Sequence, residues 1–357
     1  MTIRQRIEAF VILAKFLAQF NGNKSNDPDL KEINKKYYVK FEELIKTIHF
    51  TNPWFTEEFI RLAVNSISKS LSREKIENWL KKYPGLYNSN DEPLKKIGVI
   101  LAGNIPLVGL HDFISVLITG NIFKGKLSSK DDKLLVFIAD LLIDINKELG
   151  NRIFFTENKL TGFEAIIATG SNNSARYFEY YFNKYPNIIR KNRNALAVLT
   201  GDETVDELKH LGNDIFSYFG LGCRNVSKLF VPENYNFNDF FKAIEKYNHL
   251  FVHHKYANNY DYNRTVYLLN REHHLDNGFV LLKENEGIAS PIGVIYYQFY
   301  ISLAQVNEYL RINRDKIQCI VSSGNAIANA VKPGQAQFPK LWDYADGADT
   351  VQFLINL

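Results

Sequence analysis

Residues 96–126, KIGVILAGNIPLVGLHDFISVLITGNIFKGK, decide the fold. Ile97–Leu101 is a short apolar run of the kind that forms a buried strand. Gly103-Asn104-Ile105-Pro106 breaks it, and Pro106 suits the first position of a helix. Leu107, Leu110, Ile114, Leu117 and Ile118 then recur at helical spacing. Asn121–Lys126 reads as a second strand. A strand, a helix and a strand in succession imply a parallel sheet with helices on its faces. The stretch Ile97–Phe123 is long enough for a membrane span, which takes about 20 apolar residues. It also holds Asn104, Pro106, His111, Asp112 and four glycines, which lipid tolerates poorly. No integral span is expected.

The alternation continues downstream. Ser129 reads as the cap of a long helix, with Asp131 and Asp132 in its first turn and Gly150 past its end. Ile153–Phe155 and Ala165–Ala168 read as strands and Ser171–Phe182 as a helix. Ala195–Thr200 is a strand, and the chain from Asp202 is helical. Further strands are expected at Ser227–Val231, Leu250–His253, Thr265–Leu269, Val280–Leu282, Val294–Phe299 and Lys316–Ser322, with a terminal strand at Thr350–Leu357. Upstream, residues 1–95 are helical, with a polar loop at Asn21–Asp29. The chain therefore divides into a helical region (1–95), a nucleotide-binding domain (96–194), a catalytic domain (195–335) and a C-terminal segment (336–357).

The 357 residues carry 43 Lys and Arg against 39 Asp and Glu, a net charge of +4. That balance gives no basis for nucleic-acid binding. Two cysteines exclude a disulfide scaffold and a Cys-rich zinc module. The N-terminal residues mix charge with apolar positions, unlike a signal peptide. A cytoplasmic location with reduced thiols is expected.

Ligands of a parallel sheet bind at the carboxyl ends of its strands. Three strand-to-helix loops stand out: Gly103–Pro106, Lys126–Ser129 and Thr169–Asn173. Backbone N–H groups at such helix starts favour anions, although no GxGxxG occurs. Cys223 lies in Phe219-Gly220-Leu221-Gly222-Cys223-Arg224-Asn225, where glycines allow close approach and Arg224 is placed to favour the thiolate. Cys319, in an apolar strand-like run, reads as packing. His253-His254 and His273-His274 lack the spacing of a metal site, and His210 reads as a solvated helix residue. The run Lys184–Arg193 reads as a solvated cationic face, with docking of coenzyme A phosphates or an acidic carrier as the sharper alternative.

Gly-Asn-Ile-Pro at 103–106, Lys126-Leu127-Ser128, Thr169-Gly170-Ser171 and Cys223 follow the order seen in the aldehyde dehydrogenase superfamily. The longer phrases LAGNIPLVGLHDF, GKLSSKD and YFGLGCRNVSKLFVP resemble the LuxC-type fatty acyl-CoA reductases. The resemblance is strong over residues 96–231. It implies an α/β protein with a Rossmann-type nucleotide-binding domain and an α/β catalytic domain. It implies Cys223 as the nucleophile that accepts the acyl group, with Asn104 donating to the thioester oxygen. One such donor is typically worth ~2.7–4 kcal/mol. Lys126 would contact the adenosine ribose, with Ser128 beside it. Gly170 and Ser171 would meet the pyrophosphate, and Glu286 would hold the nicotinamide ribose.

Two departures refine this. Oxidising members carry a water-activating Glu, whereas the matching stretch here, Ile189–Arg193, has no carboxylate. That favours reduction over hydrolysis of a thioester. NAD-preferring members often place a Glu where Ser129 stands, followed here by Lys130, which favours NADPH over NADH. The expected activity is reduction of an acyl-CoA or acyl-carrier thioester to the aldehyde. Reduction of an acyl phosphate or short-chain acyl-CoA, and a non-redox acyl-transfer or scaffold role, remain open. The expected terminal strand offers an edge for pairing with a second copy of the chain.

Overall fold

The computed structural model describes residues 1–22, 24–87 and 94–357. Asn23, within the expected loop at Asn21–Asp29, and residues 88–93, within the expected helical region, lie outside them. The chain divides into two units, Met1–Lys191 with Phe338–Leu357, and Asn192–Gln337.

The first unit opens with four helices, α1 (Ile3–Ala18), α2 (Lys31–Thr47), α3 (Glu57–Ser70) and α4 (Arg73–Leu80). Local chemistry starts them. Thr2 and Gln5 form a reciprocal capping box on α1, and Thr56 and Ser72 cap α3 and α4. Then follow β1 (Lys96–Ile100), α5 (Leu110–Ile118), β2 (Ile122–Lys126), α6 (Leu134–Ile145), β3 (Ile153–Thr156), β4 (Ala165–Thr169), α7 (Asn172–Phe182) and β5 (Asn187–Arg190). The five strands pair in the order β3-β2-β1-β4-β5, all parallel. The helices α1 and α5 share one buried core with this sheet, in which Phe10, Phe16, Phe113 and Phe123 are enclosed.

The second unit contains β6 (Asn194–Val198), α8 (Val205–Phe216), β7 (Val226–Pro232), α9 (Asn238–Ile244), α10 (His254–Leu269), β8 (Leu275–Asp276), β9 (Leu281–Glu284), β10 (Val294–Tyr300), α11 (Leu303–Ile312) and β11 (Ile317–Ser322). Its sheet runs β11-β6-β7-β10-β9-β8, parallel except for the β8–β9 pair. The chain returns to the first unit with α12 (Thr350–Ile355). Tyr344 anchors that return, accepting from the Trp79 indole at 2.6 Å and bonding Tyr83 at 2.7 Å.

Several expectations are corrected. The helix after β1 begins at Leu110, not Pro106, because Leu107 takes a left-handed conformation (φ 57°) that interrupts it. Ser129 caps no helix. Asp131 accepts from the Leu134 N–H, and α6 starts there. Gly150 lies in a separate short turn that Asn146 caps. Leu250–His253 falls at the end of a 3₁₀ turn and Thr265–Leu269 within α10. In α10 the buried residues Tyr256, Tyr260, Asn263 and Tyr267 recur at spacings of three and four, a helical stripe. Thr350–Leu357 is not a strand. Asp349 caps α12, and Val351 and Leu354 are buried in the first core. The edge-strand argument for pairing with a second copy therefore has no strand to rest on. The cationic run contains β5, and its Arg190 is buried rather than solvated.

Among the described residues no helix is long and apolar enough to cross a membrane.

Candidate active site

In the first unit the strand order reverses beside β1, whose neighbours are β2 on one side and β4 on the other. Loops leaving strands at such a reversal open a crevice for ligands. Asn104 lies in the loop after β1, Lys126 and Ser128 end and follow β2, and Gly170 and Ser171 follow β4. Five of the seven residues expected to act thus share the carboxyl edge of one sheet.

Packing sets the shape of that edge. A Cβ on Gly103 would stand 2.5 Å from the Ser128 hydroxyl oxygen, so the loops after β1 and β2 touch only because residue 103 has no side chain. Asp131 ties the same loops together. Its carboxylate accepts from the Leu107 N–H at 3.2 Å and the Leu134 N–H at 3.4 Å. Burial pushes this carboxyl up to about 6, and the two backbone donors oppose the shift. The sequence marks Asp131 only as a first-turn acid, so this role was not legible. The Lys126 ammonium donates to the Glu157 carbonyl at 2.9 Å. Ser171 caps α7, accepting from the Ser174 N–H at 3.2 Å. At Gly170 a Cβ would meet Ser174 and Phe178 at 2.8 and 2.9 Å.

The second unit carries Cys223 and Glu286. Cys223 is exposed and outside any disulfide. It lies between the end of α8 and the start of β7, after two bulky residues in the left-handed region, Tyr218 (φ 53°) and Phe219 (φ 56°). Such strain persists only where surroundings enforce it and gathers at functional sites. Arg224, next to Cys223, is held by two bonds of its own. Its guanidinium donates to the Ala336 carbonyl and to the Cys319 sulfur at 3.4 Å. Cys319 is buried, as expected, but also serves as an acceptor.

Glu286 is exposed. Its backbone carbonyl accepts from the Lys228 ammonium at 2.8 Å and the Tyr309 hydroxyl at 3.1 Å. Lys228 is fully buried, and burial lowers its ammonium to about 8 against the attraction of Glu286. Nothing in the sequence distinguished this lysine from a surface one. Beside the Cys223 turn, a cavity of about 30 Å³ is lined by Phe219, Val226, Tyr256 and Ile292. It has room for a water.

The histidine pairs do not gather ligands. His253 and His254 stand at the start of α10 with their rings stacked 5.3 Å apart, not on a strand. No group of three or more metal-ligating side chains occurs among the described residues.

Solved structures share this architecture. A mutant of the indole-3-acetaldehyde dehydrogenase AldA of P. syringae, in complex with NAD+ and IAA, superposes with a TM-score of 0.62 over 92% of this chain and 74% of its own, at 14% identity. The fold is that of an aldehyde dehydrogenase. Aldehyde dehydrogenase 21 of Physcomitrella patens, solved with the reaction product succinate, matches 98% of this chain and 87% of its own (TM-score 0.61, 12% identity). An NAD-dependent aldehyde dehydrogenase of Sinorhizobium meliloti matches 92% and 72% (TM-score 0.62, 11% identity). No family model and no curated protein matches the sequence.

Proposed function

We propose that the chain is a nicotinamide-dependent oxidoreductase that reduces an acyl thioester to the aldehyde through Cys223. The observation that carries the reading is the exposed Cys223 on its strained turn, in a fold whose solved examples include enzymes with bound NAD+. The first sheet fits a dinucleotide. It offers the Ser171-capped N-terminus of α7 for the pyrophosphate and Lys126 for the adenosine ribose. Glu286, at a turn fixed by Lys228 and Tyr309, would hold the nicotinamide ribose. Bound there, a reduced nicotinamide supplies the hydride.

The Cys223 thiolate attacks the thioester carbonyl, the new C–S bond forms, and coenzyme A or a carrier thiol leaves with the displaced electron pair. The Cys223 N–H would donate to the carbonyl oxygen as it gains charge, and the resemblance gives Asn104 the same role. After hydride addition, the thiohemiacetal on Cys223 breaks its C–S bond, releasing aldehyde and restoring the thiolate. Reduction is favoured over hydrolysis because the stretch Ile189–Arg193 holds no base. Its Arg190 is buried against Asp112 at 2.6 Å. NADPH is favoured over NADH by Lys130, exposed in the turn after β2, with Ser129 in place of an acid.

Anaerobic incubation with a long-chain acyl-CoA and NADPH tests this. Nicotinamide absorbance should fall with formation of aldehyde, and C223A should abolish the change. Consumption that persists in C223A would overturn the assignment of the nucleophile. Absence of consumption with acyl-CoA, alongside consumption with an acyl phosphate, would overturn the substrate.

A further inference from the structure

We infer that Asn225 is the positioning residue that presents Cys223, acting as a clamp between the end of α8 and the turn that carries the thiol. The inference rests on the reading of Cys223 as the nucleophile. Asn225 is 1% exposed, and its side-chain amide is used at both ends. The carbonyl oxygen accepts from the Gly222 N–H at 2.8 Å, one residue before Cys223. The amide nitrogen donates to the carbonyls of Asp214 (3.1 Å), Ile215 (3.3 Å) and Ser217 (2.8 Å).

These partners explain the clamp. The last carbonyls of a helix have no acceptor role within it and need outside donors. At the end of α8 the chain passes straight into a short 3₁₀ turn, Ser217–Gly220, in which Tyr218 and Phe219 are left-handed. Asn225 supplies the donor from across the turn. The strained residues are therefore enclosed between two ends held by one amide. The Asn225 N–H also donates to the Gly222 carbonyl at 3.0 Å, closing the four-residue turn 222–225 around Cys223.

A second set of contacts holds the same turn from its other side. The Asp214 carboxylate accepts from the N–H groups of Gly334 at 2.6 Å and Ala336 at 2.9 Å. The Gln337 amide donates to the Arg224 carbonyl at 3.1 Å. With Arg224 bonded to Ala336, the segment 334–337 braces residue 224. Asn225 bonds the residue before the thiol, and Gln337 the residue after it. A hydrophobic residue of the same size would remove the acceptor for the Gly222 N–H and the donor shared by the three carbonyls.

The test is the alkylation rate of Cys223 by iodoacetamide across pH, read by peptide mass spectrometry, in the parent, N225A and N225D. N225D keeps the acceptor for Gly222 and loses the donors. Both variants should alkylate Cys223 about ten- to a hundredfold more slowly or with a shifted pH profile. They should lower kcat with KM for NADPH unchanged. NADPH binding in the first unit should persist, which marks a folded protein. Alkylation and kcat within twofold of the parent, in folded variants, would overturn the inference. Hydrogen exchange at the Gly222 amide of the unaltered protein covers the case in which neither variant folds. Strong protection is expected, and exchange at the rate of an open loop would overturn the clamp. Because alkylation is read at Cys223 itself, the result stands apart from the C223A assay. Full activity in C223A would sink the nucleophile while leaving the clamp to be judged on alkylation alone.

Discussion

In the first unit the residues expected to act are shaped mainly by backbone and by what glycine leaves out. Gly103 lets two loops touch, Ser171 bonds three residues along its own helix, and Lys126 rests on a carbonyl. In the second unit the Cys223 turn is held by side chains that reach far along the chain, from Asp214 to Ala336 and from Arg224 to Cys319. An anion cradle needs N–H groups in a row, which a strand-loop-helix unit provides locally. A nucleophile needs one side chain aimed, which takes a network around it. Each unit can be perturbed in ways that break or sharpen this contrast.

The largest effect is expected from an exception in the first unit. Arg190 ends β5 and joins Asp112 at 2.6 Å and the Thr350 hydroxyl at 2.9 Å, with side-chain exposures of 5% and 9% for the ion pair. R190A leaves a buried carboxylate without its cation and should cost about 3–5 kcal/mol in urea or guanidinium unfolding. A cost no larger than that of an exposed cap would mean that local backbone contacts carry the first unit alone.

Asp214 tests the second unit. Burial raises its carboxyl from 3.8 to about 7, against two backbone donors and Arg224. The folded state then binds more protons than the unfolded state between those values. Its contribution to stability is greatest below the lower value and declines as pH rises towards about 7, by up to ~4 kcal/mol. D214N should flatten that part of the stability–pH curve, measured as the gap in Tm from the parent at pH 4.5 and 7.5. An unchanged gap would remove Asp214 from the account.

G103A comes next. Its Cβ would lie 2.5 Å from the Ser128 oxygen and 2.9 Å from the Ser128 Cβ. Overpacking of this kind costs roughly 1–3 kcal/mol, and nucleotide affinity by fluorescence titration should fall while Cys223 alkylation stays unchanged. Loss of alkylation instead would contradict the separation drawn between the units. S171A should have the smallest effect, about 1 kcal/mol on thermal unfolding through loss of the cap, with weaker nucleotide binding.

This contrast also explains what was legible in the sequence. The parallel sheet and its strand-end loops follow from short-range alternation, so β1 to β4 and the positions of Asn104, Lys126, Gly170 and Ser171 could be read directly. Helix starts differ from the expectation around Asp131, which bonds Leu107 across 24 residues and Leu134 across three. The segments 265–269 and 350–357 are rich in β-branched and apolar residues. Packing of Tyr260 and Tyr267 in one case, and of Val351 and Leu354 in the other, made them helical. The roles of Asp214 and Lys228, and the donor side of Asn225, depend on partners eight to 122 residues away, which local patterns do not reveal. Arg190, read within a solvated charge run, is the clearest instance.

The most direct test of the central claim uses no turnover. The protein is incubated with a long-chain acyl-CoA without nucleotide, and its intact mass is recorded before and after NADPH is added. The account predicts one acyl adduct on Cys223, absent from C223A, that disappears on adding NADPH as aldehyde is released. An adduct discharged as free fatty acid, or none on a protein that still consumes NADPH with acyl-CoA, would contradict it.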